Sequence, residues 1–122
     1  MALPENRPLT IVRVYAHMAD SSTAGSAFTV SPIRGKVVKL GSVISGVVAT
    51  ADNVLTAKIA TVAITHPTWT QAFTTSAAGD VSEVVPTAAN FVNAGQNIEF
   101  ISSGAGDTNV VATTFYADIL QG

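Results

Sequence analysis

The sequence contains no cysteine, so neither a disulfide framework nor a thiolate metal site can hold the chain together. Charged residues are also scarce, at 11% of the chain, against the roughly 25% that is usual for soluble domains. A net charge of -2 gives no electrostatic reason to bind nucleic acid or an anionic membrane, because both attract basic clusters. We therefore expect neither nucleic acid nor membrane among its partners.

Patterns that indicate membrane insertion or secretion are missing as well. No run approaches the roughly 18 apolar residues of a membrane span. The first ten residues contain Glu5, Arg7 and two prolines in place of an apolar signal core, and no N-x-[ST] sequon occurs. These absences predict synthesis in the cytoplasm without export through a classical signal peptide.

What the chain does contain favours β-structure. Thr, Val and Ile suit strands because branching at Cβ stiffens the side chain on a pleated surface. A length of 122 residues is typical of one domain. Low charge also reduces the desolvation cost of docking on another protein, because interface cores are depleted in charge. Composition predicts one β-rich domain and leaves open whether its uncharged surface covers a monomer or an interface.

Runs rich in β-branched residues, separated by turn signals, predict eight or nine strands. They lie at 9–16, 27–30, 35–48 (two strands, or one bent at Gly41 and Gly46), 54–64, 68–74, 81–85, 96–102 and 110–120. The segment 54–64 also has helical spacing, but its Thr and Val content and the lack of a helix cap favour a strand. The pattern predicts an all-β, single-domain, jelly-roll-like β-sandwich over residues 9–122.

The first eight residues differ from the rest of the chain. Pro4 and Pro8 fix their own backbone angles and push Leu3 and Arg7 towards extended conformations. We predict that residues 1–8 form an extended arm that reaches a neighbouring protein. A frayed terminus, the commoner fate of such segments, is the alternative.

Residues that could carry chemistry do not form a recognisable motif. His17, Asp20 and Ser21 are close in sequence, yet a catalytic triad depends on three-dimensional geometry and no G-x-S-x-G elbow is present. His17 and His66 lie on different segments, without an H-x-x-x-H pair for a metal. We therefore predict no enzymatic activity, no metal, no cofactor and no small-molecule substrate.

The basic and aromatic residues can be explained by ordinary structural roles. Arg34, Lys36 and Lys39 form the main basic cluster, and strand alternation predicts Lys39 on the face opposite the other two. Such charges protect a strand edge from aggregation. Trp69 and Phe73 have the spacing of a strand face and are predicted to lie in the core.

Phe91 differs from these aromatics because it falls in the irregular stretch 87–93. An aromatic residue in such a stretch either anchors the loop or contacts a partner. We therefore retain Phe91 as a candidate contact residue.

Three patterns extend along much of the chain. They are R-G-x-V-x-x-x-x-S-V-I at Arg34 to Ile44, an acidic turn before a T-x-K-I strand, and V-x-A-G-Q-x-I-E at Val92 to Glu99. With their surroundings at 24–59, 77–80 and 86–108, they resemble small capsid decoration, or cement, proteins of tailed bacteriophages.

This resemblance implies a structural virion protein with a β-sandwich or jelly-roll fold, typically a homotrimer. Such a protein is made in the bacterial host cytoplasm and then sits on the outer surface of the phage head. Its partner is the major capsid protein, whose neighbouring subunits it ties together. The candidate contacts with the capsid or another subunit are then Pro4, Arg7, Pro8 and Phe91.

A second interpretation stays open at this stage. The chain could be a fibre-associated or host-recognition β-module of a virion that binds a cell-surface glycan. That function needs exposed aromatic side chains, for which Phe91 and Trp69 are the candidates.

Overall fold

The computed structural model describes residues 10–104 and 109–122. Within these ranges it contains ten β-strands and no helix. The strands are β1 (Ile11–Met18), β2 (Gly25–Val30), β3 (Gly35–Ile44), β4 (Asn53–Ile59), β5 (Val62–Ala63), β6 (Thr70–Gln71), β7 (Val81–Val84), β8 (Phe91–Val92), β9 (Asn97–Ser102) and β10 (Thr113–Gln121). Pro4, Arg7 and Pro8 lie outside the described residues. The all-β prediction is confirmed, with slightly more strands than expected.

The strands form two antiparallel sheets. The first has the order β1-β10-β3-β7, with β8 also paired to β3. The second has the order β2-β9-β4-β5, with β6 also paired to β4. Because β7 and β8 share one edge and β5 and β6 share another, each sheet has four strand positions. This arrangement is the jelly roll, and it confirms the predicted sandwich.

Three aromatic side chains fill the centre of the core between the sheets. Phe100 of β9 stacks on Phe115 of β10, with ring centroids 5.2 Å apart. Trp69 meets Phe115 edge-on at 6.0 Å, and its Nε1 donates a hydrogen bond to the carbonyl of Ser82 at 3.1 Å. All three rings are buried. The predicted core position of Trp69 is therefore confirmed. Because its ring is buried, it is not available to stack against a sugar.

The predicted core position of Phe73 is wrong. The strand expected over 68–74 is limited to β6, because the chain leaves the sheet after Gln71. Phe73 follows in a connection and is 45% exposed. The even spacing of Trp69 and Phe73 predicts one face of a strand, but the strand ends at Gln71, before Phe73.

The segment 35–48 contains one strand, β3 (Gly35–Ile44), which has a bulge in its pairing with β10 and ends before residue 45. The bulge leaves Val38 without a register partner and shifts the alternation by one residue. Lys36 and Lys39 therefore both lie opposite outward-facing residues of β10. The prediction that they occupy opposite faces is wrong for this reason.

The segment 54–64 is β-structure, as predicted, but it contains a hairpin. Strand β4 ends at Ile59 and β5 begins at Val62, so the loop consists of Ala60 and Thr61. Their φ angles are 47° and 73°. Two successive positive φ angles are typical of the type I′ turn, which usually contains Asn and Gly. Neither residue is present, so the sequence carries no turn signal here.

The strands give the sandwich two ends, which we name by the segments that they contain. The arm end contains Thr10 and the connections 31–34, 60–61 and 93–96. The loop end contains the connections 19–24, 45–52 and 72–80 and the described residues 103–104 and 109–112. A hydrogen bond from the Gln121 amide to the Thr10 carbonyl, 2.9 Å long, places Thr10 beside the last residues of β10.

Candidate functional site

A groove of about 410 Å³ lies at the arm end, between the β4–β5 hairpin and the segment around β8. Apolar side chains form most of its wall, and two amides complete it. The lining residues are Ile59, Ala60, Val62, Ala89, Phe91, Asn93 and Gln96. The groove is therefore an apolar surface with hydrogen-bonding groups at its margin.

Phe91 is the aromatic residue of this groove. It pairs with Lys36 at the edge of the first sheet, and its side chain is 49% exposed. The Arg34 guanidinium carbon lies 5.2 Å from the centroid of the Phe91 ring, within the range of a cation–π contact. Val62 is also exposed. Phe91 thus presents an apolar ring and a neighbouring positive charge to solvent.

Backbone strain is concentrated beside the groove. In the part of the chain that the structure describes, four non-glycine residues have positive φ angles, namely Ala60, Thr61, Thr75 and Ala89. Ala60 and Ala89 line the groove, and Thr61 completes the adjoining turn. Left-handed conformations cost about 1–2 kcal/mol per residue and cluster at functional sites. Strain therefore marks the groove as the candidate site.

Basic and acidic residues lie at opposite ends of the sandwich. Arg34 and Lys36 lie at the arm end and form no salt bridge with any described residue. Asp20, Asp52 and Asp80 lie at the loop end, where each accepts a hydrogen bond from a main-chain amide. The domain is therefore cationic at one end and anionic at the other.

Charges between the ends compensate one another. Arg13 binds Asp118 through two hydrogen bonds, Nε to Oδ1 at 2.6 Å and Nη2 to Oδ2 at 2.9 Å. The pKa of Arg13 is raised because the Asp118 carboxylate accepts these bonds. Lys58 and Glu99 are register partners in the second sheet. The middle of the domain consequently adds little to the charge difference between the ends.

A buried tyrosine organises the outer face of the first sheet. Arg13 covers the Tyr116 ring at 4.1 Å from its centroid, and the ring lies against Gly41. The Tyr116 hydroxyl donates to Glu83, which also lies 3.8 Å from the Lys39 ammonium. Burial and the hydrogen bond to Glu83 raise the pKa of Tyr116. Gly41 provides space for the ring, and the bend expected there is absent.

The residues considered for nucleophilic catalysis organise a turn instead. Asp20 accepts hydrogen bonds from the Ser22 hydroxyl at 2.5 Å, the Ser22 amide at 3.0 Å and the Val111 amide at 3.0 Å. These bonds lower the pKa of Asp20. Ser21 is buried and His17 faces solvent. A carboxylate used in this way closes a loop and does not orient a base.

A buried polar cluster joins the two sheets near the loop end. The Gln71 Oε1 atom accepts hydrogen bonds from Ser21 Oγ and Asn53 Nδ2, both at 2.8 Å. The Gln71 Nε2 atom donates to Thr113 Oγ1 at 2.9 Å. All four side chains are buried. Since they come from β4, β6, β10 and the turn after β1, this cluster fixes the sheets relative to each other.

Two further properties bear on function. Across residues 10–104 and 109–122, no group of three or more His, Asp or Glu side chains is placed to hold a metal ion. The same residues include no helix with the length and apolarity that a membrane crossing requires.

Comparisons with known proteins find only distant structural likeness. The sequence matches no protein-family model and no curated protein. The catalytic unit of the GH87 α-1,3-glucanase from Streptomyces thermodiastaticus aligns with a TM-score of 0.46 and 14% identity, over 95% of this chain and 26% of that chain. The exo-β-1,3-galactanase from Phanerochaete chrysosporium aligns with a TM-score of 0.41 and 14% identity, over 91% and 29%. The chain thus spans less than a third of either enzyme.

Proposed function

We propose that this chain is a head decoration, or cement, protein that binds the outer surface of a tailed-phage capsid and bridges neighbouring shell subunits. The observation that carries the proposal is the position of the Phe91 groove. It lies at the end of the sandwich where Thr10, the first described residue, leads into β1. The arm sequence and the groove then act together on one partner, the major capsid protein.

Charge favours an acidic patch on the shell as the surface that is bound. Arg34 and Lys36 form no salt bridge with any described residue at the arm end. The arm sequence contains one cation, Arg7, and one anion, Glu5, so it leaves the formal charge of this end positive. Complementary charge steers association and fixes the orientation of a docking protein. The carboxylates at the loop end would be repelled by the same patch. The arm end therefore faces the shell, and Phe91 supplies apolar contact area there.

A non-enzymatic role is part of this proposal. A protein that binds only the assembled shell stabilises it by mass action. Several weak contacts that act together strengthen the attachment through their high effective concentration. Binding alone is thus sufficient for the function, on the outside of the head.

The homotrimer that the resemblance implies is also proposed. The exposed Phe28 and Val30 lie two residues apart on β2 and so share one face of the second sheet. A three-fold axis along the strands would bury this face and direct three arm ends to the shell. Light scattering is expected to give three times the chain mass, and Phe28→Lys is expected to give one chain mass.

The test uses expanded heads of the phage that encodes this chain, prepared without the decoration protein. The wild-type protein is expected to co-sediment with them. Deletion of residues 1–8, Phe91→Ala and Arg34→Glu should each weaken binding by at least about tenfold, as for interface anchors. Phe73→Ala is the matched control, because Phe73 is exposed to a similar degree at the opposite end. Failure of the folded wild-type protein to bind would contradict the proposal.

A further inference from the structure

A second cleft opens at the loop end, at the opposite end of the strands from Phe91. Its volume is about 290 Å³, near the lower limit of roughly 300 Å³ for small-ligand pockets. It lies between the end of β3, the strand β6 and the start of β7. Hydroxyl side chains dominate its lining, namely Ser42, Thr70, Thr74, Thr75, Ser76 and Ser82. A cleft of this size accommodates one small polar molecule.

Ser42 is the observation that points to a ligand. The residue is completely buried, it lines the cleft, and its Oγ atom has no hydrogen-bond partner among the described residues. Nearly all buried polar atoms in native proteins are paired, because an unpaired one costs about 1–3 kcal/mol. A hydroxyl group of a bound molecule would supply the missing bond.

The other hydroxyls have two roles. Ser76 and Ser82 donate to the carbonyls of Val48 and Thr70, at 3.0 and 2.6 Å, and so stiffen the wall. The side chains of Thr70 and Thr74 form no hydrogen bond with any described residue and are free to bind a ligand. The wall also contains Thr75. Its φ of 59° is a strained backbone conformation for a residue other than glycine.

The charge of the cleft selects among polar ligands. Asp80 is the charged residue among the described lining residues, and its Oδ2 atom accepts a hydrogen bond from the Ala77 amide at 2.8 Å. The carboxylate repels phosphate and acidic sugars and can accept bonds from neutral hydroxyls. Hydroxyl walls both donate and accept, which matches a polyol. Phe73 lies in sequence between two lining residues and offers an exposed ring.

We propose that the loop-end cleft binds one unit of a neutral sugar, as part of a larger glycan. This inference stands on the cleft and does not need the capsid proposal. Where both hold, the sugar site points away from the shell, because cleft and groove lie at opposite ends of the same strands. A head that carries the protein would then adhere to glycans.

The experiment is an NMR titration of the full ¹⁵N-labelled chain. The probes are glucose, galactose, mannose and N-acetylglucosamine, with N-acetylneuraminic acid and inorganic phosphate as anionic probes. At least one neutral sugar should produce saturable shifts in the amides of 70–76 and 80–82, whereas the anions should not. Ser42→Ala should weaken that binding about fivefold, as expected for one hydrogen bond. Ser26→Ala, on β2 and outside the cleft, is the matched control and should bind normally.

Three results would overturn the proposal. They are the absence of saturable shifts with every neutral sugar, binding of the anionic probes in their place, and binding that Ser42→Ala leaves unchanged. Ser42→Ala removes an unpaired buried hydroxyl and should not lower stability, so loss of binding in this variant cannot be ascribed to unfolding. The assay contains no phage heads, so its failure is distinct from failure of the capsid proposal.

Discussion

Tyr116 packs so closely against Gly41 that a Cβ atom at position 41 would lie 2.1 Å from the ring carbon Cζ. Side chains do not approach one another at this distance, so the ring occupies space that any other residue would need. Arg13 covers the ring and Glu83 binds its hydroxyl group, which limits its movement. Glycine is required here for space and not for backbone freedom.

Substitution of this glycine should therefore destabilise the fold. Gly41→Ala is expected to lower the free energy of unfolding by about 1–3 kcal/mol, the usual cost of overpacking. Urea denaturation measures the change. Gly25→Ala is the control, because its new Cβ would lie 3.9 Å from its nearest neighbour, the Thr23 carbonyl oxygen. Equal stability of the two variants would show that the ring moves aside freely.

Alkaline pH should destabilise the protein through Tyr116. Burial raises its pKa above the ordinary value of about 10, and the hydrogen bond to Glu83 adds to this. The unfolded chain therefore loses the phenolic proton first, so this contribution is complete below about pH 10 and is lost as the pH rises further. Urea midpoints between about pH 9 and pH 11 should fall less in Tyr116→Phe than in the wild type. Parallel curves would contradict the assignment.

Acid should weaken the turn that Asp20 closes. Hydrogen bonds from Ser22 and Val111 lower the pKa of this carboxyl group in the folded state. Its contribution to stability is present above the unfolded pKa of about 3.9 and is lost as the pH falls through the folded value. Thermal unfolding at several pH values below about 5 measures it. Asp20→Asn should show a smaller decrease over that range, and an identical decrease would assign the effect to other carboxyl groups.

The hairpin turn should become more stable when its strain is relieved. Thr61 is β-branched and adopts a φ of 73°, a conformation that glycine adopts freely. Thr61→Gly is expected to raise the free energy of unfolding by about 1 kcal/mol. Thr56→Gly, in the regular part of β4, should lower it, because glycine weakens a strand. A decrease in both variants would mean that the Thr61 side chain contributes more than its strain costs.

Loss of the central amide in the buried polar cluster should be costly. Gln71→Ala removes three buried hydrogen bonds, those that the amide forms with Ser21, Asn53 and Thr113, with an expected cost of about 3 kcal/mol. Gln96→Ala, at an exposed turn where the side chain accepts one bond from Asn93, should cost less than about 1 kcal/mol. Chemical denaturation of both variants gives the comparison. Similar losses would indicate that water replaces Gln71.

Local patterns in the sequence predict the strands and their faces but not the strand order. Alternation in β1 places Val14 and Ala16 on the buried face, as the structure shows. The pairing of Arg13 with Asp118 joins residues separated by 105 positions, and nothing in either local segment specifies it. Bulges and two-residue turns are equally hard to predict, since Val38 and Ala60 look like ordinary strand residues.

The candidate sites show the same division. Phe91 stood out in the sequence because an aromatic residue in an irregular stretch needs an explanation, and the structure exposes its ring. Ser42 gave no signal, because a serine in a strand is unremarkable until β6 and β7 close over it and leave its hydroxyl group unpaired. The contacts predicted at Pro4, Arg7 and Pro8 stay predictions.

The hydrogen bond between Thr10 and Gln121 brings the first described residue next to the end of β10. A short linker between these residues, with new termini opened within 45–52, should give a circular permutant with the same two sheets, because surface connections tolerate such cuts. A cargo fused to the permutant would emerge at the loop end and not beside Phe91. The side of the domain that displays a cargo could thus be chosen without changing a core residue.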